Sequence, residues 1–328
     1  MVSGKFSIKS IMSKRTDKQQ QRVALLGAPL GFGASKPGSE LGVEAICLSK
    51  IRGQYLIDHI RNLGYAVSEM RLAQITQPAE RDRSSENPRY LAEMAESNRN
   101  IANIVKEELD SGALPIIIGG DHSIAIGSFS GISSHFHKRG EQVGLIWFDA
   151  HADINTPETT PTGNIHGMPV AVLLGHGSKE LVEIEGFSPK LNPKYFAHIG
   201  ARDLDEGERQ AVYKYGLRDN FFTMSDIDKR GMQACVEDAL KIVSAASGGF
   251  TVTFDVDIID PRFAPGSGTL VRGGATYREA HLALESIAEH GGLRAFEIVE
   301  VNPLLDEHNI TVELAGELIL SALGKTIL

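Results

Sequence analysis

Acidic residues and histidines recur in this chain at a spacing of two. Asp149, His151 and Asp153 stand in the run DAHAD, and Asp255 and Asp257 in FDVDIIDP. A further run, GGDHS, carries Asp121 and His122. In extended chain, alternate side chains point to one side about 7 Å apart, so residues spaced by two share a face. A carboxylate between such neighbours can bridge two cations, and two-metal hydrolytic sites hold their ions about 3.5–4 Å apart. The histidines His122 and His151 with the aspartates Asp149, Asp153, Asp255 and Asp257 make enough ligands for two ions if some are shared. Without cations, carboxylates so clustered repel one another and raise their own pKa values. An oxygen-rich set with some imidazole and no thiolate suits manganese better than structural zinc, with cobalt, nickel, iron and zinc left open. Taken singly, Asp121 or Asp149 reads as well as a helix N-cap. The set as a whole points to metal chemistry.

The elements that must position these residues follow from hydrophobic pattern. Apolar runs at 23–28, 114–118, 143–148, 195–199, 250–254 and 293–299 predict strands. Helical spacing predicts helices near 89–109, 206–215, 229–246, 277–289 and 310–320. Buried runs alternating with amphipathic helices predict a parallel sheet covered on both faces. Residues 155–164 and 260–274, rich in Pro, Gly and Thr, read as long loops. Asp121-His122, Asp149–Asp153, Asp255–Asp257 and Glu300 each follow the C-terminal end of a predicted strand. That edge is where open parallel sheets bind ligands, so four distant segments are expected to converge on one rim.

Composition narrows the classes. The 328 residues carry a formal net charge of -9, with 42% hydrophobic and 23% charged residues. This suits a globular protein and argues against nucleic-acid partners, whose binders are usually basic. No apolar run is long enough to span a membrane. Cys47 and Cys235 are far apart and form no CxxC, so neither a disulfide framework nor a thiolate zinc site is indicated, and a reducing cytoplasm fits. Residues 1–22 hold six basic residues against one acid, Asp17, and read as a polar tail, leaving 23–328 as one α/β catalytic domain. The turn GAPLGFG at Gly27–Gly33 does not match the GxGxxG of dinucleotide sites.

GGDHS (Gly119–Ser123), DAHAD (Asp149–Asp153), FDVDIIDP (Phe254–Pro261) and EVNP (Glu300–Pro303) together resemble the ureohydrolases, the arginase and agmatinase group. With GAP at Gly27–Pro29 and SALGK at Ser321–Lys325, the resemblance covers roughly Val23 to Leu328. It implies a three-layer α/β/α sandwich with a mainly parallel sheet. It implies two Mn2+, one held by His122, Asp149, Asp153 and Asp255, the other by Asp149, His151, Asp255 and Asp257. A homo-oligomer, trimer or hexamer, is implied as well.

The loop INTPETTPTGNIHG, Ile154–Gly167, is similar to the arginase loop and unlike the usual agmatinase segment. Asn155, Thr162 and Asn164 match positions that bind the substrate α-carboxylate, Thr162 standing where arginases commonly have Ser. Asp205 would accept from the α-amino group, with Glu208 helping through water. Read without the resemblance, Arg202, Asp203, Asp205 and Glu208 form a solvated charge cluster. Glu300 would pair with the guanidinium and His166 shuttle protons. The expected reaction is conversion of L-arginine and water to L-ornithine and urea by a hydroxide bridging the metals, with Asp153 passing a proton to the leaving amine. The alternatives are an agmatinase or another guanidino or formimino hydrolase, and a non-catalytic metal-binding homologue.

Overall fold

The computed structural model describes residues 21–80 and 85–326. Its centre is six strands: β1 (Arg22–Ala28), β2 (Leu114–Gly119), β3 (Gly144–Phe148), β4 (Phe196–Ile199), β5 (Phe250–Asp255) and β6 (Leu293–Val299). They lie in the order β1-β2-β6-β5-β3-β4, every neighbouring pair parallel. Ala66–Val67 and Arg71–Leu72 pair beyond β1, and Phe221–Phe222 beyond β4, giving nine strands. All residues of β2 and β5 are buried. Strands covered on both faces have no solvent-facing side, which is why β2 reads as an almost continuous apolar run and β5 admits only threonine between its apolar residues before Asp255.

Helices supply the covers: α1 (Leu91–Asp110), α2 (Ala125–His137), α3 (Glu206–Lys214), α4 (Met232–Val243), α5 (Tyr277–His290) and α6 (Ile310–Ala322). Successive strand residues face opposite ways. Ile118, Phe148, Phe254 and Ile298 pack with α4, α5 and α6 in one core. Ile117, Leu145, Trp147 and Ala295 pack with α1, α2 and α3 in the other. The result is the expected three-layer α/β/α sandwich.

Three local expectations change. The helix expected over 229–246 is two helices, because Met224–Arg230 ends at Gly231 (φ 81) and α4 starts afresh. Glycine accepts that left-handed C-cap conformation without steric cost. Helix α2 was not expected at all. Ala125 to Phe136 are all buried, so no polar face gives the sequence a helical period. Its Gly127 and Gly131 sit where a Cβ would come 2.4 Å from Asn98 O and 2.3 Å from Ala102 O, so α1 and α2 touch backbone to backbone. Thirdly, β1 begins at Arg22, whose guanidinium reaches Glu108 at 2.8 Å. The rest of the basic segment 1–22, apart from Gln21, lies outside the described residues.

Register levels the rim. Ile118 pairs with Ile298, Ile298 with Phe254, Phe254 with Phe148, and Phe148 with Ile199. Every cluster therefore leaves the sheet at one height. Gly120 fixes the neighbour strand there: a Cβ on it would lie 1.7 Å from Leu30 O. Its N–H donates to Ala28 O at 3.0 Å, and the Asp121 N–H to Leu30 O at 2.8 Å. Gly120→Ala must displace this backbone, so the denaturant midpoint should fall by the equivalent of about 1–3 kcal/mol or more. An unchanged midpoint would show that the contact is not tight.

Candidate metal centre

Each cluster sits on a turn made by its own carboxylate. Asp121 Oδ1 accepts from Ser123 N at 3.0 Å, capping the turn His122–Ile124. Asp149 Oδ1 accepts from His151 N, and Asp255 Oδ1 from Asp257 N, each at 2.7 Å. The capping role that each aspartate allows by itself is real. It also aims the site: one oxygen folds back on the chain, which turns it, and the other is left facing inward.

For Asp149 and Asp255, what that inward oxygen meets is His122. Its Nδ1 lies 3.0 Å from Asp149 Oδ2, 3.0 Å from Asp153 Oδ2 and 3.3 Å from Asp255 Oδ2. None of these contacts is aligned as a hydrogen bond, so the buried nitrogen has no partner. The other ring nitrogen, Nε2, is 3.1 Å from Thr253 Oγ1, which itself donates to Glu297 at 2.8 Å. Thr253 thus accepts from Nε2–H, which leaves the Nδ1 lone pair among three carboxylate oxygens. A proton on Nδ1 would serve one of them. A cation serves all four atoms, and the oxygen and imidazole donors suit manganese or a similar divalent ion.

A second cluster lies beside the first. His151 Nδ1 is 3.4 Å from Asp149 Oδ1 and 3.1 Å from Asp257 Oδ2. Asp149 belongs to both groups: ligand atoms of His122, Asp149 and Asp255, and of Asp149, His151 and Asp257, each lie within 4.8 Å of one another. Asp255 is turned in the same way as Asp149, with Oδ1 on the Asp257 N–H and Oδ2 toward His122.

Electrostatics give the same answer. Burial raises Asp255 well above the usual carboxylate range, with Asp257 and Asp149 adding to it. Burial and Asp149 push Asp153 up to about 7. Burial would raise Asp149 too, but the adjacent imidazoles of His122 and His151 outweigh it and hold Asp149 well below the usual range. Two imidazoles cannot keep four buried carboxylates ionised together. The cluster is therefore either partly protonated or suited to divalent cations, which would keep its carboxylates ionised.

Glu300 and His166 flank the first cluster. Glu300 Oε1 accepts from His122 N at 2.9 Å and lies 3.1 Å from His166 Nδ1. Burial works against charge on His166, but Glu300, then Asp121 and Asp153, raise it to about 9. Asp153 (φ 50) and Glu300 (φ 64) are two of the few non-glycine residues in the left-handed region. Such backbone costs about 1–3 kcal/mol at each position and persists only where neighbours over-determine it. Asp153 is held by its N–H on Glu208 Oε1 at 2.9 Å, and Glu300 by its N–H on Gly120 O at 2.8 Å.

The substrate-end residues come together in part. Asn155 Nδ2 donates to Asp205 Oδ2 at 2.7 Å. Thr162, exposed, accepts from Asn164 N at 3.2 Å. Glu208 is buried, raised to about 8 by burial and then Asp153, and its oxygens accept from Ala152, Asp153 and Asp205 N–H groups. Asp203 is exposed as a solvated charge would be, but Glu208 is buried and Arg202 and Asp205 are half-buried. Arg202 donates to the carbonyls of Asp257 at 2.6 Å, Val271 at 2.7 Å and Ile258 at 3.2 Å, strapping the turn that carries Asp257.

Two supporting residues were missed by the sequence reading. Trp147 donates to Asp149 Oδ2 at 2.9 Å and stacks on His122, ring centroids 4.1 Å apart. Thr253 orients the same histidine. Both stand two residues before a cluster aspartate, so carrying the spacing of two back into the strand would have found them. If Asp149 is the shared ligand, Asp149→Ala should leave the purified protein with close to no bound manganese, whereas Asp257→Ala should keep about one ion per chain of about two. Elemental analysis after dialysis checks this; equal loss in both variants would contradict a shared Asp149.

Comparison with known proteins agrees with this geometry. A sequence model described as "Arginase family" matches residues 21–324. The arginase of Bacillus subtilis (strain 168) is 40% identical over 306 residues, 93% of this chain and 99% of that one. The arginase structure from Bacillus caldovelox superposes with a TM-score of 0.87 at 37% identity, covering 94% of this chain and 100% of that one. An Entamoeba histolytica arginase solved with L-ornithine gives 0.84 at 29% identity, covering 93% and 99%. The chain belongs to the arginase family.

Proposed function

We propose that this protein is an arginase, hydrolysing L-arginine to L-ornithine and urea at a pair of manganese ions. The observation that carries the reading is the double carboxylate–imidazole cluster sharing Asp149, with Glu300 against its first histidine. The likeness to arginases over nearly the whole chain supports the substrate. His122, Asp149, Asp153 and Asp255 would hold one ion and Asp149, His151, Asp255 and Asp257 the other. When bound, such ions lower the pKa of water so that hydroxide is available near neutral pH.

The chain's own residues do the rest. A guanidinium is resonance-stabilised and a poor electrophile, so it has to be fixed in place before attack. Glu300, buried and carboxylate-tipped, holds it through N–H to oxygen bonds. Its Oε1 is already tied to His122 N and His166, which keeps the carboxylate from rotating. Asp153, beside His122 in the cluster, passes a proton to the departing amine. His166, with 17% of its side chain exposed, exchanges protons between that interior and solvent. At the other end, Asp205 faces the α-amino group, and Asn155, Thr162 and Asn164 supply donors for the α-carboxylate. That carboxylate separates L-arginine from agmatine. Action in the cytoplasm as a homo-oligomer completes the proposal. Among the described residues no helix is long and apolar enough to cross a membrane, and both cysteines are free thiols.

Urea release from manganese-loaded protein, assayed with L-arginine and agmatine in parallel, tests the reading. Urea from L-arginine alone is expected; urea from agmatine alone would overturn the substrate. Glu300→Gln should lower turnover of L-arginine about 100-fold or more, as for loss of a buried charge partner, with manganese content unchanged. Near-normal turnover in that variant would remove Glu300 from the guanidinium site.

A further inference from the structure

Arg89 is a guanidinium at the rim of the site that no role above uses. It is half-buried, its Nε is buried with no hydrogen-bond partner, and it has no carboxylate partner among the described residues. A cation in such a place is costly unless an anion arrives to answer it. Its surroundings indicate where. The segment it stands in is stitched to the loop Ile154–Gly167 by Asn87 Nδ2 on Pro157 O at 2.6 Å and Arg89 N on Gly163 O at 2.9 Å. Arg89 Nη1 then donates to Asn164 Oδ1 at 3.0 Å, and Asn164 Nδ2 donates to Ser35 Oγ at 2.7 Å.

Direction is the informative feature. A guanidinium only donates, so Asn164 must turn its oxygen to Arg89 and its NH2 toward Ser35. Ser35 Oγ accepts from that NH2, and its own O–H remains to donate. Ser35 is exposed on the turn between Gly31 and Gly38. That turn is pinned at the site by Gly33 N on Asp121 Oδ2 at 2.7 Å and by His166 N on Gly33 O at 3.3 Å. All donors in the chain point one way, from a cation with no carboxylate partner among the described residues to a hydroxyl, and each bond polarises the next.

We propose that Arg89, Asn164 and Ser35 form one donor relay selecting substrates that carry an α-carboxylate, with Ser35 as a carboxylate contact and Arg89 as the positioning residue behind it. The proposal rests on the arginase reading. It adds two residues, Arg89 and Ser35, to the carboxylate end of the site.

The test compares Arg89→Met, Ser35→Ala and the double variant, manganese-loaded, against two ligands. L-Arginine bears the carboxylate. L-Argininamide replaces it by a neutral amide and keeps the α-amino group; its binding is read as inhibition of L-arginine hydrolysis. Each single variant should raise the KM for L-arginine about tenfold while changing the inhibition constant of L-argininamide less than twofold. The double variant should be little worse than Arg89→Met alone, because both act through one chain. Arg89→Lys, which keeps the charge and one donor, should recover part of the loss. Equal weakening of both ligands would mean that Arg89 only braces the loop, and no change in KM would remove the relay; either overturns the proposal. Ser35→Ala, an exposed truncation, carries the test if Arg89→Met fails to fold. Failure of the underlying reading is separate, since it appears as wild-type protein that releases no urea from L-arginine.

Discussion

Negative charge packed beyond its own tolerance is the constraint on which the rest of the structure depends. Asp149, Asp153, Asp255 and Asp257 are all buried at the ends of neighbouring strands, with two imidazoles between them. Water cannot screen them there, and the histidines are too few to neutralise them. The sheet makes this crowding possible because its register brings β3, β5 and β6 to one height. Cations make it tolerable. Around that centre the chain places groups that only donate or that carry positive charge: the indole of Trp147, the guanidinium of Arg202, and backbone N–H groups turned inward by capping aspartates.

Strain sits where positioning matters. Asp153 and Glu300 are held in left-handed backbone by single strong acceptors, Glu208 Oε1 and Gly120 O. Glu208 in turn is fixed by the capping box that starts α3. The conformation of Asp153 therefore depends on a helix start some fifty residues away in sequence. This is pre-organisation in concrete form: the folding energy of α3 and of the β1–β2 contact is used to hold two carboxylates before any substrate arrives.

How much of this was legible follows from the same physics. The six central strands could be read because each is short, mostly apolar and buried, and the metal-ligating set because side chains at a spacing of two share a side. Helix α2 could not be read, since burial on every face erases the period that reveals a helix. The break at Gly231 was legible only as a glycine inside an otherwise helical pattern. How each carboxylate divides its two oxygens between the backbone and the cluster is a choice of rotamer that no sequence records. Arg202 and Arg89 were illegible for another reason. They act on carbonyl and amide groups of distant segments, and any residue can present a carbonyl.

Anomalous diffraction from crystals of the manganese-loaded protein tests the central claim most directly. The account predicts two manganese peaks about 3.5 Å apart, with Asp149 touching both and His122 and His151 on opposite sides. A single peak, or two peaks that do not share Asp149, would contradict it.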